Sequence, residues 1–162
     1  DTCESSVPGV YAVGDVNGGP QFTYISLDDF RIVFGALTGN GQYTLKDRKN
    51  IPYTTFLTPP LARVGLTEED AINKGYTVKT KEMLVATMPR AHVNDYLKGA
   101  FKIVVNADND LILGATLYSQ GAEELINLIK MAMDNNIPYT YFKNQIFTHP
   151  TMAENLNDLC NF

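Results

Sequence analysis

Ala100-Phe101-Lys102-Ile103-Val104-Val105-Asn106, followed by Ala107-Asp108-Asn109-Asp110 and then by Leu111-Ile112-Leu113-Gly114-Ala115-Thr116-Leu117-Tyr118, reads as strand, turn and strand. Both flanking runs are rich in β-branched and aromatic side chains. The Asp and Asn cluster between them supplies side chains that bond their own backbone, which closes a hairpin. A connection this short can join only antiparallel neighbours, because a parallel pair needs a crossover of a dozen residues or more. Upstream, Tyr76 to Leu84 reads as a third strand, and Tyr53 to Thr58 and Arg63 to Leu66 as two shorter ones on either side of Pro59-Pro60. Thr67-Glu68-Glu69-Asp70 opens a helix: Thr67 caps it, Asp70 occupies the capping-box position, and the acids favour its positive end until Gly75 stops it. Downstream, Ala122 to Asp134 is a long helix whose Leu125, Ile126, Leu128, Ile129, Met131, Ala132 and Met133 leave little of it polar. Such a helix calls for cover on two sides or a place deep in the core. A short helix ends the chain. Hairpin-linked strands with segregated helices specify an α+β fold, an antiparallel sheet with helices packed on it.

The front of the chain has a different grammar. Val7-Pro8-Gly9 marks a turn, Val10 to Val13 a short buried strand, and Gly14-Asp15 its end. Gly18-Gly19-Pro20 breaks the chain again. Phe22 to Leu37 then reads as a helix with Tyr24, Leu27, Phe30, Ile32, Val33, Phe34 and Leu37 as its apolar stripe, ended by Gly39-Asn40-Gly41. Gln42 to Asn50 is polar, with Lys46, Asp47, Arg48 and Lys49 in sequence, and reads as a linker. Residues 1–47 are therefore expected to form a strand-helix unit with its linker, and residues 48–162 the sheet domain.

At 162 residues with 44% apolar and 19% charged side chains, the chain can bury a sizeable core. Its net charge of -5 argues against nucleic acid or an anionic membrane as partner. It contains no apolar run long enough to span a bilayer, and no basic segment followed by an apolar stretch opens it, so neither a membrane anchor nor a signal peptide is expected. Cys3 and Cys160 lie at opposite ends and are expected to be free thiols in a reducing, cytoplasmic setting. The scattered cysteines and histidines have no zinc spacing, so no metal is expected.

The chemistry concentrates in Phe147-Thr148-His149-Pro150-Thr151-Met152-Ala153-Glu154. Pro150 suits a helix start and pushes His149 into an extended conformation, so the imidazole projects from a turn. Glu154 admits two readings. With Thr151 it completes a capping box. Alternatively it accepts a hydrogen bond from one ring nitrogen of His149, fixing the tautomer and leaving the other nitrogen as an acid or base near neutral pH. His92, between Arg90 and Lys98, reads as a solvated loop residue. Asp15, after an apolar strand and a glycine, stands where a carboxylate recognises ligand hydroxyls, or is simply an acidic turn residue. Gly39-Asn40-Gly41 is no dinucleotide fingerprint, since no strand leads into it and no third glycine follows.

Three motifs in order carry a resemblance. Pro8-Gly9-Val10-Tyr11-Ala12-Val13-Gly14-Asp15 resembles the second FAD motif of the class I pyridine nucleotide-disulfide oxidoreductases. Pro59-Pro60-Leu61-Ala62-Arg63-Val64-Gly65-Leu66-Thr67-Glu68 is similar to the opening of that family's dimerisation domain, and His149-Pro150-Thr151-Met152-Ala153-Glu154 to its catalytic end. The resemblance implies that Gly14 and Asp15 bind the ribityl part of FAD and that Gln21, Phe22 and Thr23 approach the flavin ring. It implies NADH or NADPH as co-substrate, His149 as acid/base for a substrate-facing thiol, Glu154 as its orienting partner, a cis His149-Pro150 bond, and a homodimer in which His149 serves the other subunit. Gly18 to Asp29 and Asn155 to Leu159 look closest to the mercuric-reductase-like branch, in particular to reactive-chlorine-resistance reductases whose substrates include hypothiocyanous acid. The paired C-terminal cysteines of mercuric reductases are missing, so mercury is not the expected substrate. No Gly-x-Gly-x-x-Gly or Cys-x-x-x-x-Cys occurs, so the resemblance places the nucleotide-binding folds and the redox disulfide upstream of Asp1. The chain alone is then expected to be inactive and to hold no FAD tightly. The competing expectation is a non-enzymatic homodimerisation module in which His149 and Glu154 only cap and pack.

Overall fold

The computed structural model describes residues 1–162, which form two compact units, Asp1–Lys49 and Asn50–Phe162.

In the first unit Gly9 takes a left-handed φ of 81° and donates its N–H to Glu4 Oε1 at 2.7 Å, closing the turn expected at Pro8-Gly9. The buried strand expected over Val10–Val13 is not formed. A single bridge joins Glu4 to Tyr11, and Val10 and Val13 remain 52% and 42% exposed, because one bridge offers cover on one edge only. A 3₁₀ turn over Gly14–Asn17 leads to helix α1, Thr23–Thr38, which Gly39 ends in the left-handed region. The apolar stripe read for this helix is largely exposed: Tyr24, Leu27, Phe30, Phe34 and Leu37 face outward. The buried face is instead Ile25, Asp29 and Ile32, at i, i+4 and i+7, and it includes a carboxylate. The residues read as a linker are ordered as well. Thr44 and Asp47 form a capping box around a 3₁₀ turn at Leu45–Asp47, and the Arg48 side chain is only 10% exposed.

In the second unit five strands form one antiparallel sheet: β1 Tyr53–Thr55, β2 Leu61–Gly65, β3 Val78–Leu84, β4 Ala100–Asn106 and β5 Ile112–Tyr118, in spatial order β1-β2-β5-β4-β3. The hairpin of β4 and β5 lies at its centre. Lys102 pairs with Thr116 and Ile103 with Ala115, with a bulge at Val104/Val105 where Gly114 and Ile112 are the successive partners. Asn106 accepts the Asp108 N–H, and Asp110 adopts φ 61°, so the Asp/Asn turn works as its composition requires. Alternation then sorts the faces. Ala62, Val64, Phe101, Ile103 and Leu117 point into the core, and Arg63, Lys102 and Thr116 point away from it.

Helix α2, Glu68–Asn73, starts at the Thr67–Asp70 capping box, with Asp70 N–H donating to Thr67 Oγ1 at 3.0 Å. Gly114 has no room for a side chain, since a Cβ there would fall 2.1 Å from the Leu66 carbonyl. Pro89–Val93 forms a short helix, α3, so His92 is not a loop residue; it is exposed, and its Nε2 bonds the Ala86 carbonyl at 2.8 Å. Helix α4, Ala122–Asp134, lies on β2 and β5 through Leu125, Ile126, Ile129 and Ala132. Its cover is one-sided: Leu128 and Met131 remain 37% and 62% exposed. A helix absent from the sequence reading, α5 at Tyr139–Asn144, packs on α6, Asn155–Leu159. Lys81 donates to the Asp158 carbonyl at 2.7 Å and so caps the last helix from the sheet. No helix is long and apolar enough to cross a membrane.

Candidate functional site

The His149–Pro150 peptide bond is cis, as the resemblance implied, and so is Thr58–Pro59, which it did not. Pro150 does not start a helix. Residues 149–154 form an irregular turn, and regular helix begins only at Asn155. Within that turn the two readings of Glu154 hold together, because a carboxylate has two oxygens. Thr151 N–H donates to Glu154 Oε1 at 3.0 Å while Glu154 N–H donates to Thr151 Oγ1 at 3.2 Å, which is a reciprocal capping box placed ahead of the helix. The second oxygen, Oε2, lies 2.8 Å from His149 Nδ1. A carboxylate only accepts, so the bond makes Nδ1 the protonated nitrogen of the neutral ring and leaves Nε2 as the site of proton exchange. The His149 hydrogen bond, joined by the Thr151 N–H, holds the Glu154 carboxyl below the usual carboxylate range, so it is ionised at neutral pH. The His149 side chain is 69% exposed and the Glu154 side chain 18%, so the ring is presented to solvent and the carboxylate is tucked in. Asn157, in α6 just after this turn, bonds the end of α5 by donating to the Phe142 carbonyl at 2.7 Å and the Gln145 carbonyl at 2.9 Å. The neighbouring Ile146 is 92% exposed.

The other expected site residues sit in the Asp1–Lys49 unit. Gly14 is buried with φ 71°, and a Cβ there would fall 2.8 Å from Ser26 Oγ, so both its conformation and its surroundings demand glycine. Asp15 is exposed on the 3₁₀ turn. Gln21, Phe22 and Thr23 stand at the start of α1, where Phe22 is the N-cap residue, no side chain caps the helix and its first turn carries no acid. The positive end of a 16-residue helix is thus left available to negative charge. A buried glycine turn, an outward carboxylate and an uncapped helix end fit a ligand that bears hydroxyls and delocalised negative charge.

Asn17 in this turn, Asp29 on α1 and Arg48 beyond it were given no part in the site by the sequence. Asp29 is fully buried; its Oδ2 accepts from Gly14 N–H and from Asn17 Nδ2, both at 2.8 Å, and its Oδ1 pairs with Arg48. Burial raises the Asp29 pKa, but the bonds from Arg48, Gly14 and Asn17 outweigh it and hold the carboxyl below its usual range. The available signal was an aspartate spaced with Ile25 and Ile32 on one helical face. Both cysteines are free and buried, and burial pushes the Cys160 thiol up to about 12. Nowhere do three His, Cys, Asp or Glu side chains gather into a metal site.

Known proteins share this architecture. The family profile described as pyridine nucleotide-disulphide oxidoreductase, dimerisation domain, matches residues 51–160. The probable pyridine nucleotide-disulfide oxidoreductase RclA of Escherichia coli is 48% identical over 155 residues, which are 96% of this chain and 35% of that protein. A mercuric reductase of Staphylococcus aureus is 36% identical over 147 residues, 91% of this chain and 27% of that protein. The solved HOCl-induced flavoprotein disulfide reductase RclA from Escherichia coli superposes with a TM-score of 0.95 at 46% identity, covering 98% of this chain and 37% of that one. The chain spans about a third of the length of these relatives.

Proposed function

We propose, since the chain belongs to the pyridine nucleotide-disulphide oxidoreductases and carries their dimerisation domain, that it supplies the acid/base group of an FAD-dependent disulfide reductase. The observation that carries this reading is the His149 Nδ1–Glu154 Oε2 bond on an exposed imidazole. Glu154 orients the ring and stabilises it when protonated. Nε2 then takes a proton from a thiol, or returns one to a thiolate, so that the sulfur facing substrate alternates between nucleophile and leaving group. Neither Cys3 nor Cys160 belongs to a Cys-x-x-x-x-Cys pair and both are buried, so the disulfide served by His149 lies in the part of the protein that the relatives have and this chain does not.

Gly14, Asp15, Gln21, Phe22 and Thr23 are the residues that would hold FAD. Gly14 would let the backbone approach, Asp15 would accept from ribityl hydroxyls, and the α1 N-terminus would favour negative charge on the ring. FAD, when bound, supplies the relay of a hydride equivalent from NADH or NADPH to the disulfide. The active unit is a homodimer. Leu128 and Met131 on α4, and Ile146 beside the His149 turn, leave apolar surface in water that a second copy would cover. The likeness to the HOCl-induced reductase RclA favours a role against reactive chlorine species, and the sequence motifs extend that reading to a cytoplasmic setting with hypothiocyanous acid among the substrates.

In the full-length protein His149→Ala is expected to cut thiol-linked turnover by about 10²- to 10⁴-fold, the usual scale for removing a general acid/base, with flavin content and dimer unchanged. Steady-state kinetics beside analytical ultracentrifugation reads both. Loss of the dimer with turnover per dimer retained would instead favour a purely structural pairing module, a role for which the Thr151–Glu154 capping box is the supporting observation.

A further inference from the structure

We propose that Asp29 is the positioning residue of the flavin-side turn: its buried carboxylate, gripped by Arg48, holds the Gly14–Gly19 backbone from which Asp15 projects. The proposal rests on the assignment of Asp15 to FAD. Asp29 is 0% exposed and sits on the inner face of α1 between Ile25 and Ile32, a place where an apolar side chain would pack without desolvating a charge. What the carboxylate adds there is a set of bonds to one loop. Its Oδ2 accepts from the Gly14 N–H and from Asn17 Nδ2, each at 2.8 Å. Asn17 passes the restraint on, its Oδ1 accepting from the Gly19 N–H at 2.9 Å. Gly14, the residue immediately before Asp15, is thereby held at φ 71°, and Gly18 closes the turn at φ 76°. The direction of Asp15 follows from that backbone.

Arg48 completes the assembly. Its Nη2 pairs with Asp29 Oδ1, and its Nε donates to Asp28 Oδ2 at 2.7 Å, an oxygen that also accepts from the Tyr43 hydroxyl at 3.3 Å. The guanidinium fork thus bridges two adjacent carboxylates and neutralises the buried one, which would otherwise favour protonation and lose its grip on the turn. Burial and the hydrogen bonds pull the Asp29 carboxyl in opposite directions, and the bonds prevail.

The test uses the full-length protein reconstituted with FAD, the flavin dissociation constant, visible circular dichroism of the bound flavin, and the variants Asp15→Asn, Asp29→Asn, their double, and Arg48→Lys. Asp29→Asn is expected to weaken FAD binding by about 10- to 100-fold, the scale of a lost charge-assisted bond, and to alter the flavin dichroism. In the Asp15→Asn background the same change should add little, because a positioning residue acts through the residue it positions. Additive losses, or no loss on Asp29→Asn, overturn the proposal while leaving Asp15 as a flavin ligand. An unaltered dissociation constant for Asp15→Asn alone overturns the flavin assignment itself and the proposal with it. If Asp29→Asn does not fold, Arg48→Lys decides on the same readouts. Keeping the charge but losing the fork, it should weaken FAD several-fold with Asp15 present and not with Asn there; no change would overturn the proposal.

Discussion

Glu154 divides its oxygens between the Thr151 backbone and the His149 ring, so one side chain both builds the turn and aims the imidazole. Because its pKa is lowered in the folded state, it contributes stability that is present above the ordinary carboxylate value of 4.5 and lost as pH falls through the lower folded value. Carbon-13 NMR of the labelled Glu154 carboxyl should therefore give a midpoint below 4.5, and His149→Ala should move it back upward, since the His149 bond is the leading cause of the shift. A second residue-scale expectation concerns Cys160. With its thiol pushed up to about 12 by burial, it should resist thiol reagents at pH 8 in the native protein and react once the chain is unfolded. An assay with a chromogenic disulfide, with and without denaturant, reads this directly.

At the scale of elements, α2 and the β4–β5 hairpin show local rules acting with little tertiary correction. Thr67 and Asp70 cap α2 reciprocally, so Thr67→Ala is expected to destabilise the Asn50–Phe162 unit by about 1 kcal/mol in chemical denaturation. Gly114 is a different case, because its side-chain space is filled by the Leu66 backbone. Gly114→Ala should cost more, about 1–3 kcal/mol, as strand β5 and the β2–α2 connection move apart. Helix α1 shows the opposite of local rule-following. Its large apolar residues Tyr24, Phe30 and Phe34 face outward, while Asp29 is enclosed.

At the scale of the molecule, the Asn50–Phe162 unit closes its core on one side of the sheet and leaves apolar surface on α4. Met131, 62% exposed, is the more exposed of the two large apolar side chains there. Met131→Lys in the full-length protein is expected to shift sedimentation from dimer to monomer and to reduce turnover with it, while the monomer keeps its secondary structure. A variant that sediments as wild-type dimer would remove α4 from the proposed interface.

The parts whose signals are local were legible in the residues alone: the hairpin, the α2 capping box, the bounds of α4, and the His-Pro-x-x-x-Glu spacing that brings ring and carboxylate within one turn. These follow from backbone propensity and short-range side-chain bonding, which act over a few residues. What depends on partners distant in sequence emerged with the folded chain. Arg48, read as part of a polar linker, has a side chain only 10% exposed because Asp28 and Asp29 stand across from it. Asp29 shares a helical face with Ile25 and Ile32, but a carboxylate could be enclosed there only because Gly14, Asn17 and Arg48 together satisfy its charge. Val10 and Val13, apolar enough for a buried strand, stayed exposed because burial needs a surface to bury against and the single Glu4–Tyr11 bridge covers one edge only.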